Sequence, residues 1–131
     1  VGALIFTALG SVHGYVTIKD LSNPKAFTPP DAALREAMQN SSIRFHPDIN
    51  LWRAWLGFNL THSLGLVVFG VFYIYLTTTH MAIYRESVIL QFLAISVSAC
   101  YLIVSKLYFF SKPALASAIA LVSFTLAAII A

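Results

Sequence analysis

The sequence predicts an all-α membrane protein: a bundle of four transmembrane helices with a short amphipathic helix in the first loop. Four long apolar runs fill most of the 131 residues, and a helix needs about 20 apolar residues to cross a bilayer. Hydrophobic residues make up 59% of the chain and charged residues only 10%, whereas soluble domains are about 25% charged. Short connections between most runs favour antiparallel neighbours in a single integral membrane domain over residues 1–131.

The four predicted spans cover residues 1–18, 51–78, 87–110 and 113–131. The first span carries Gly10 and Gly14, small residues four apart that allow two helices to approach closely. The third span has polar residues at heptad spacing, which we interpret as a helix-packing face: Gln91, Ser98 and Ser105. Both ends of the sequence lie inside apolar runs, so we expect the natural chain to continue beyond them.

The first loop, residues 19–50, is the one substantial extramembrane segment. Thr28 to Asp31 form a capping signal, which predicts a helix over about residues 29–39. Its apolar residues share one face, which suits packing on the bundle or lying at headgroup level: Ala33, Leu34, Ala37 and Met38. Most basic residues fall on the side of this loop, and only Arg85 lies opposite. Because positive charge favours the cytoplasmic side, the first loop is predicted to be cytoplasmic.

A polar cluster interrupts the second span. Asn59, His62 and Ser63 are three or four residues apart and therefore lie on one side of the helix. Hydrocarbon offers no hydrogen-bond partner, so these groups must face protein, water or a ligand. On the first span, His13 lies at a depth from which it can join them. The favoured interpretation is a buried set of interhelical hydrogen bonds.

The alternative interpretation is a cofactor or ligand site. His13 and His62 lie on different helices, each near a glycine, and such a pair is one way to hold haem b through two axial nitrogens. The same pair would also fit the lining of a quinone- or lipid-sized pocket. A non-haem metal site is not expected, because no carboxylate lies within a span and three or four ligands are normally needed.

An aromatic and basic group precedes the polar cluster. Trp52, Arg53 and Trp55 occupy the first turns of the second span, where amphipathic rings settle at the membrane interface and an arginine extends to the headgroups. We interpret these three residues as an interfacial anchor.

The second span also contains a sequence pattern that resembles one of a known family. The pattern W-[RK]-A-W-x-G-F-N-x-[ST]-H-S-x-G, here from Trp52 to Gly65, is similar to that of an uncharacterised family of small four-helix bacterial membrane proteins. Pro30 and Asp31 in the loop and the segment ending at His13 also fit it. The resemblance implies four membrane helices and a bacterial origin, and the predicted location is therefore the bacterial inner membrane. It implies no activity.

No catalytic motif accompanies these features, and the scattered basic residues do not favour nucleic-acid binding. We therefore predict a non-catalytic protein without a cofactor, an accessory or assembly subunit of a larger membrane complex. Its predicted partners are membrane lipids and other membrane protein subunits. Lipid-facing aromatic residues such as Phe69, Phe72 and Tyr73 are expected to contact the partner subunits. The alternative prediction is a module that binds haem, a quinone or a lipid through His13 and His62.

Overall fold

The computed structural model describes residues 1–130 and is almost entirely helical. Its six helices and two short strands are, in chain order, α1 (Gly2–Ser22), α2 (Ala32–Asn40), β1 (Ser42–Ile43), β2 (His46–Asn50), α3 (Leu51–Thr79), α4 (Met81–Glu86), α5 (Val88–Tyr108) and α6 (Ser111–Ile129). The four long helices cover the apolar runs found in the sequence, and α2 covers most of the predicted loop helix. The fourth predicted span extended to Ala131, which lies outside the described residues.

Within residues 1–130, three helices are long and apolar enough to cross a membrane: α3, α5 and α6. Only 28%, 17% and 17% of their most apolar windows are buried inside the protein. Most of that apolar surface therefore needs a non-aqueous environment, which the bilayer supplies. The helix α1 has 21 residues but carries Lys19 and Asp20 near its end, and it is not among the three. The structure therefore supports an integral membrane protein with three candidate spans.

The described chain divides into two compact units. Unit 1 comprises residues 1–9 and 66–130, and unit 2 comprises residues 10–65. The boundaries fall inside α1 and α3, both of which contribute to each unit. Whether the chain is a single membrane domain stays a prediction.

Unit 1 has an aromatic core. The Phe6 ring lies 5.5 Å from that of Phe69 and 5.4 Å from that of Tyr101, and Tyr73 lies 5.3 Å from Phe124. These centroid distances are typical of packed aromatic pairs. The prediction that Phe69 and Tyr73 face lipid or a partner is therefore wrong: Tyr73 is fully buried and Phe69 packs against the core.

The last two helices of unit 1, α5 and α6, follow each other after a very short connection and pack as a hairpin. Apart from Phe124, their buried residues are small, which lets two helix backbones approach closely: Ala94, Ser98 and Ser105 on α5, and Ser117 and Ala120 on α6. Two of the three heptad positions, Ser98 and Ser105, are buried as predicted, and the third, Gln91, is half-buried.

In unit 2, Asp31 caps α2 as the sequence predicts, because its carboxylate accepts a hydrogen bond from the Ala33 backbone N–H at 2.9 Å. None of the residues of α2 is buried, and Leu34 remains 51% exposed. Packing of this apolar face within unit 2 is therefore not observed, and its contact with lipid headgroups stays a prediction. After α2, strands β1 and β2 form an antiparallel hairpin that the sequence pattern did not predict.

Candidate functional site

The predicted polar cluster is assembled in unit 2, where α1 and α3 bring His13 and Asn59 together. The His13 Nε2 atom lies 3.0 Å from the Asn59 side-chain oxygen. The Asn59 amide nitrogen donates to the Trp55 carbonyl oxygen at 2.8 Å, so the oxygen of the amide is the atom that faces the imidazole. An amide oxygen only accepts hydrogen bonds. The His13 Nε2 atom therefore carries a proton and donates it to Asn59.

The second imidazole, that of His62, contacts the first directly. The two ring centroids are 5.4 Å apart and the rings are nearly perpendicular, an edge-to-face arrangement typical of aromatic contact. His62 also stacks with Phe58, with ring centroids 5.9 Å apart. The half-buried His62 thus contacts two rings.

Ser63 lies where α1 and α3 approach each other closely in unit 2. Its hydroxyl donates to the Asn59 carbonyl oxygen at 2.7 Å, and the residue is 4% exposed. A Cβ atom at Gly14 would lie only 3.2 Å from that of Ser63, so the small residue on α1 permits this approach. Of Gly10 and Gly14, the two glycines singled out in the first span, Gly14 is therefore shown to face α3.

A loop between α1 and α2 covers the cluster. The Phe27 ring lies 4.5 Å from the His13 ring, and the Phe27 carbonyl oxygen accepts a hydrogen bond from the Trp55 indole at 3.1 Å. Trp55 thus holds this loop while remaining 37% exposed. Its neighbours Trp52 and Arg53 are half-buried and exposed, respectively. The anchoring of these three residues at a membrane interface stays a prediction.

Asp20, at the end of α1, fixes the conformation of the same loop. Its carboxylate accepts backbone hydrogen bonds from Lys25, Ala26, Phe27 and Thr28 at 2.6–3.1 Å, and another from the Thr28 hydroxyl at 3.2 Å. Burial acts to raise the pKa of this carboxyl group, but the hydrogen bonds outweigh it and lower the pKa from 3.8 to about 2. Asp20 is therefore ionised throughout the physiological range.

The geometry does not fit the proposed clamping of haem between His13 and His62. Axial ligation requires the porphyrin plane to lie between two imidazoles whose nitrogens are free to bind iron. Here the two rings touch, and the His13 Nε2 atom is engaged with Asn59. Within residues 1–130 no group of three or more His, Cys, Asp or Glu side chains is placed to hold a metal ion.

No protein-family model, curated protein or solved structure matches the chain. The family resemblance of the Trp52–Gly65 pattern therefore stays a prediction, and the interpretation of the site depends on its geometry. Nothing among the described residues supports catalysis.

The sequence identified the members of the polar cluster but not the loop between α1 and α2 that packs against it. Helical spacing grouped Asn59, His62 and Ser63 on one side of α3, and the depth of His13 on the first span suggested that it could join them. In the structure His13 contacts both Asn59 and His62. Asp20 was missed because one acidic residue beyond an apolar run resembles any solvated charge. Its position five to eight residues before four consecutive backbone N–H groups is a signal only when the loop conformation is known.

Proposed function

We propose that this chain is a non-catalytic integral membrane protein that acts as an accessory or assembly subunit of a larger membrane complex. The observation that carries the proposal is that the intramembrane polar groups bond to one another and to the backbone. His13 bonds to Asn59, Asn59 to the Trp55 carbonyl, and Ser63 to the Asn59 carbonyl. Groups engaged in this way hold two helices together, and they leave little polar capacity for substrate chemistry.

The outer surface supports the same proposal. Large aromatic residues are exposed along the candidate spans, among them Phe58 at 56%, Phe72 at 44% and Phe92 at 69%. In a bilayer such a surface can meet either acyl chains or the helices of other subunits. We further propose that α1 is the fourth span and that the membrane is the inner membrane of a bacterium. In this orientation residues 19–50 lie in the cytoplasm, as the excess of basic residues on that side favours.

Isolation of the chain from its native membrane in mild detergent tests the proposal. We expect the tagged chain, produced at its natural level, to migrate in an assembly larger than itself. Deleting the chain should lower the abundance of that assembly, whereas a tagged copy supplied in trans should restore it. A chain that migrates alone, with no membrane complex altered by its deletion, would contradict the proposed role.

Removal of the central amide provides a separate test of the structural role of the cluster. The substitution Asn59→Leu is expected to lower the free energy of unfolding by about 1–2 kcal/mol, because the His13 Nε2–H then loses its acceptor inside the protein. Reversible unfolding in mixed detergent micelles measures the change.

The matched control is Thr61→Val on the same helix. The Thr61 hydroxyl bonds only to carbonyl groups of its own helix, at Gly57 and Phe58, so its loss is expected to change the free energy of unfolding by less than about 0.5 kcal/mol. If Asn59→Leu unfolds no more readily than Thr61→Val, the cluster does not hold the helices together.

A further inference from the structure

A cleft of about 780 Å³ lies within unit 2, between α2 and the loop that joins α1 to α2. All the residues that line it fall between positions 24 and 40, well inside the sequence. Its volume lies within the roughly 300–1,000 Å³ range of sites that bind small molecules. Half of its lining residues carry a charged or amide side chain: Lys25, Arg35, Glu36, Gln39 and Asn40.

Two of these side chains are cations without a counter-ion. Among residues 1–130, neither the Lys25 ammonium nor the Arg35 guanidinium forms an ion pair. The guanidinium makes no hydrogen bond to these residues either, although Arg35 is half-buried. It carries five N–H donors in a planar fork that matches the oxygens of a phosphate or carboxylate. Glu36 is the one acidic residue of the lining, so the lining as a whole favours an anion with several acceptor oxygens.

The loop wall of the cleft is held in place by the protein's own contacts. The Asp20 carboxylate accepts hydrogen bonds from the backbone N–H groups of Lys25 at 3.0 Å and of Thr28 at 3.1 Å. Because the ring of a proline fixes its φ angle, prolines restrict the same loop further. A wall that is ordered in advance loses little conformational entropy when a ligand binds. The three lining prolines of this loop are Pro24, Pro29 and Pro30.

The position of the cleft selects among anionic ligands. The Trp55 indole donates a hydrogen bond to the Phe27 carbonyl oxygen, so the loop is attached to the first turns of α3, a candidate span. The ends of membrane helices lie in the headgroup region, where basic residues attract anionic lipids. We propose that the cleft binds the phosphate group of an anionic membrane lipid through Lys25 and Arg35. This inference is independent of the accessory role proposed above and requires only that α3 crosses a bilayer.

Two lipids with the same acyl chains test the inference. Dioleoylphosphatidylglycerol carries an anionic phosphate group, whereas dioleoylglycerol carries none. Native mass spectrometry of the whole chain, equilibrated with an equal mixture of the two in mild detergent, measures how much of each is retained. We expect at least about tenfold more of the phospholipid, because each basic residue beside an anionic lipid favours its binding roughly fivefold.

Variants assign the preference to this cleft. Arg35→Gln and Lys25→Gln each remove one positive charge, and each should lower the ratio of phospholipid to dioleoylglycerol about fivefold. The matched control Arg44→Gln removes the same charge from the exposed turn between β1 and β2, outside the cleft lining, and should keep the wild-type ratio. Glu36→Gln removes the negative charge of the lining and should raise the ratio, which a loss of folding would not do.

A water-soluble phosphate compound distinguishes the two sources of this chemistry. If a lipid is the ligand, the wild type should retain no more glycerol phosphate than Arg35→Gln does. Retention of glycerol phosphate that depends on Arg35, together with retention of phospholipid that does not, would identify a soluble phosphate compound as the ligand and overturn the proposal.

Two further results would overturn the inference. The wild type could retain phospholipid and dioleoylglycerol equally, which would mean that the cleft does not recognise phosphate. Arg44→Gln could lower the ratio as much as Arg35→Gln, which would assign the preference to the total charge of the protein rather than to the cleft. Lys25 is exposed, so the comparison of Lys25→Gln with Arg44→Gln still decides if Arg35→Gln does not fold.

Discussion

Replacement of Gly70 by alanine is expected to lower the free energy of unfolding by about 3 kcal/mol. Gly70 lies on α3 within unit 1, where α1 crosses it at very short range. A Cβ atom at this position would lie 2.6 Å from the Ala3 carbonyl oxygen and 2.7 Å from the Thr7 backbone nitrogen. Both are backbone atoms, so no side-chain rotation relieves the overlap and the two helices must separate. Unfolding in mixed detergent micelles measures the loss.

The matched control lies on the same helix. At Gly65 a Cβ atom would have no neighbour within 4 Å. Alanine is a better helix former than glycine by about 0.8–1 kcal/mol, so Gly65→Ala is expected to leave the stability unchanged or to raise it slightly. Equal stability of the two variants would mean that the close approach of α1 and α3 at Gly70 does not exist in the protein.

The contrast between these glycines shows where sequence reasoning reaches its limit. The apolar runs predicted the helices well, because 20 or so hydrophobic residues in lipid have few alternatives to a helix. Helical spacing also placed Asn59, His62 and Ser63 on one side of α3. Spacing within one helix does not reveal which neighbour each face meets, however. Gly10 and Gly14 were singled out by their separation, whereas a Cβ atom at Gly70 would lie closer to the backbone of α1 than one at Gly14 would lie to Ser63.

The aromatic residues of α3 illustrate the same limit. Phe69, Phe72 and Tyr73 lie close together in the sequence and are all large aromatic residues, so the sequence does not distinguish them. In the structure Tyr73 is fully buried, whereas Phe72 is 44% exposed. In a soluble protein the solvent-facing side of a helix is marked by charges. In a membrane helix both sides are apolar, so hydrophobicity does not separate the core from the lipid-facing surface.

The sequence also did not reveal the loop over the histidine cluster, whose conformation depends on Asp20. Asp20→Asn is expected to destabilise this loop by about 3 kcal/mol, although the side chain keeps its shape. Both carboxylate oxygens accept hydrogen bonds, one from Lys25 and Ala26 and the other from Ala26, Phe27 and Thr28. An amide would turn its NH₂ group toward backbone N–H donors in either orientation, and hydrogen bonds to a charged group are worth about 1.5–3 kcal/mol each. Tryptic cleavage after Lys25 should therefore become about a hundredfold faster.

Asp31→Asn is the control for this substitution. The exposed Asp31 carboxylate accepts one bond from a backbone N–H at the start of α2, and asparagine caps a helix as well as aspartate does. Cleavage after Lys25 should then remain at the wild-type rate. If Asp20→Asn and Asp31→Asn are cleaved equally slowly, the Asp20 carboxylate does not hold the loop.

The same carboxylate predicts how stability depends on pH. The pKa of Asp20 is lowered from 3.8 to about 2 in the folded protein, so the folded state binds this proton less readily than the unfolded state. The stabilisation is therefore complete above about pH 4 and is lost as the pH falls through about 2. Denaturant titrations between pH 7 and pH 2 should show this loss in the wild type, whereas Asp20→Asn should lack that component. Parallel pH profiles for the two proteins would contradict it, because a neutral amide at position 20 has no proton to exchange in this range and any shared loss of stability must come from other carboxyl groups.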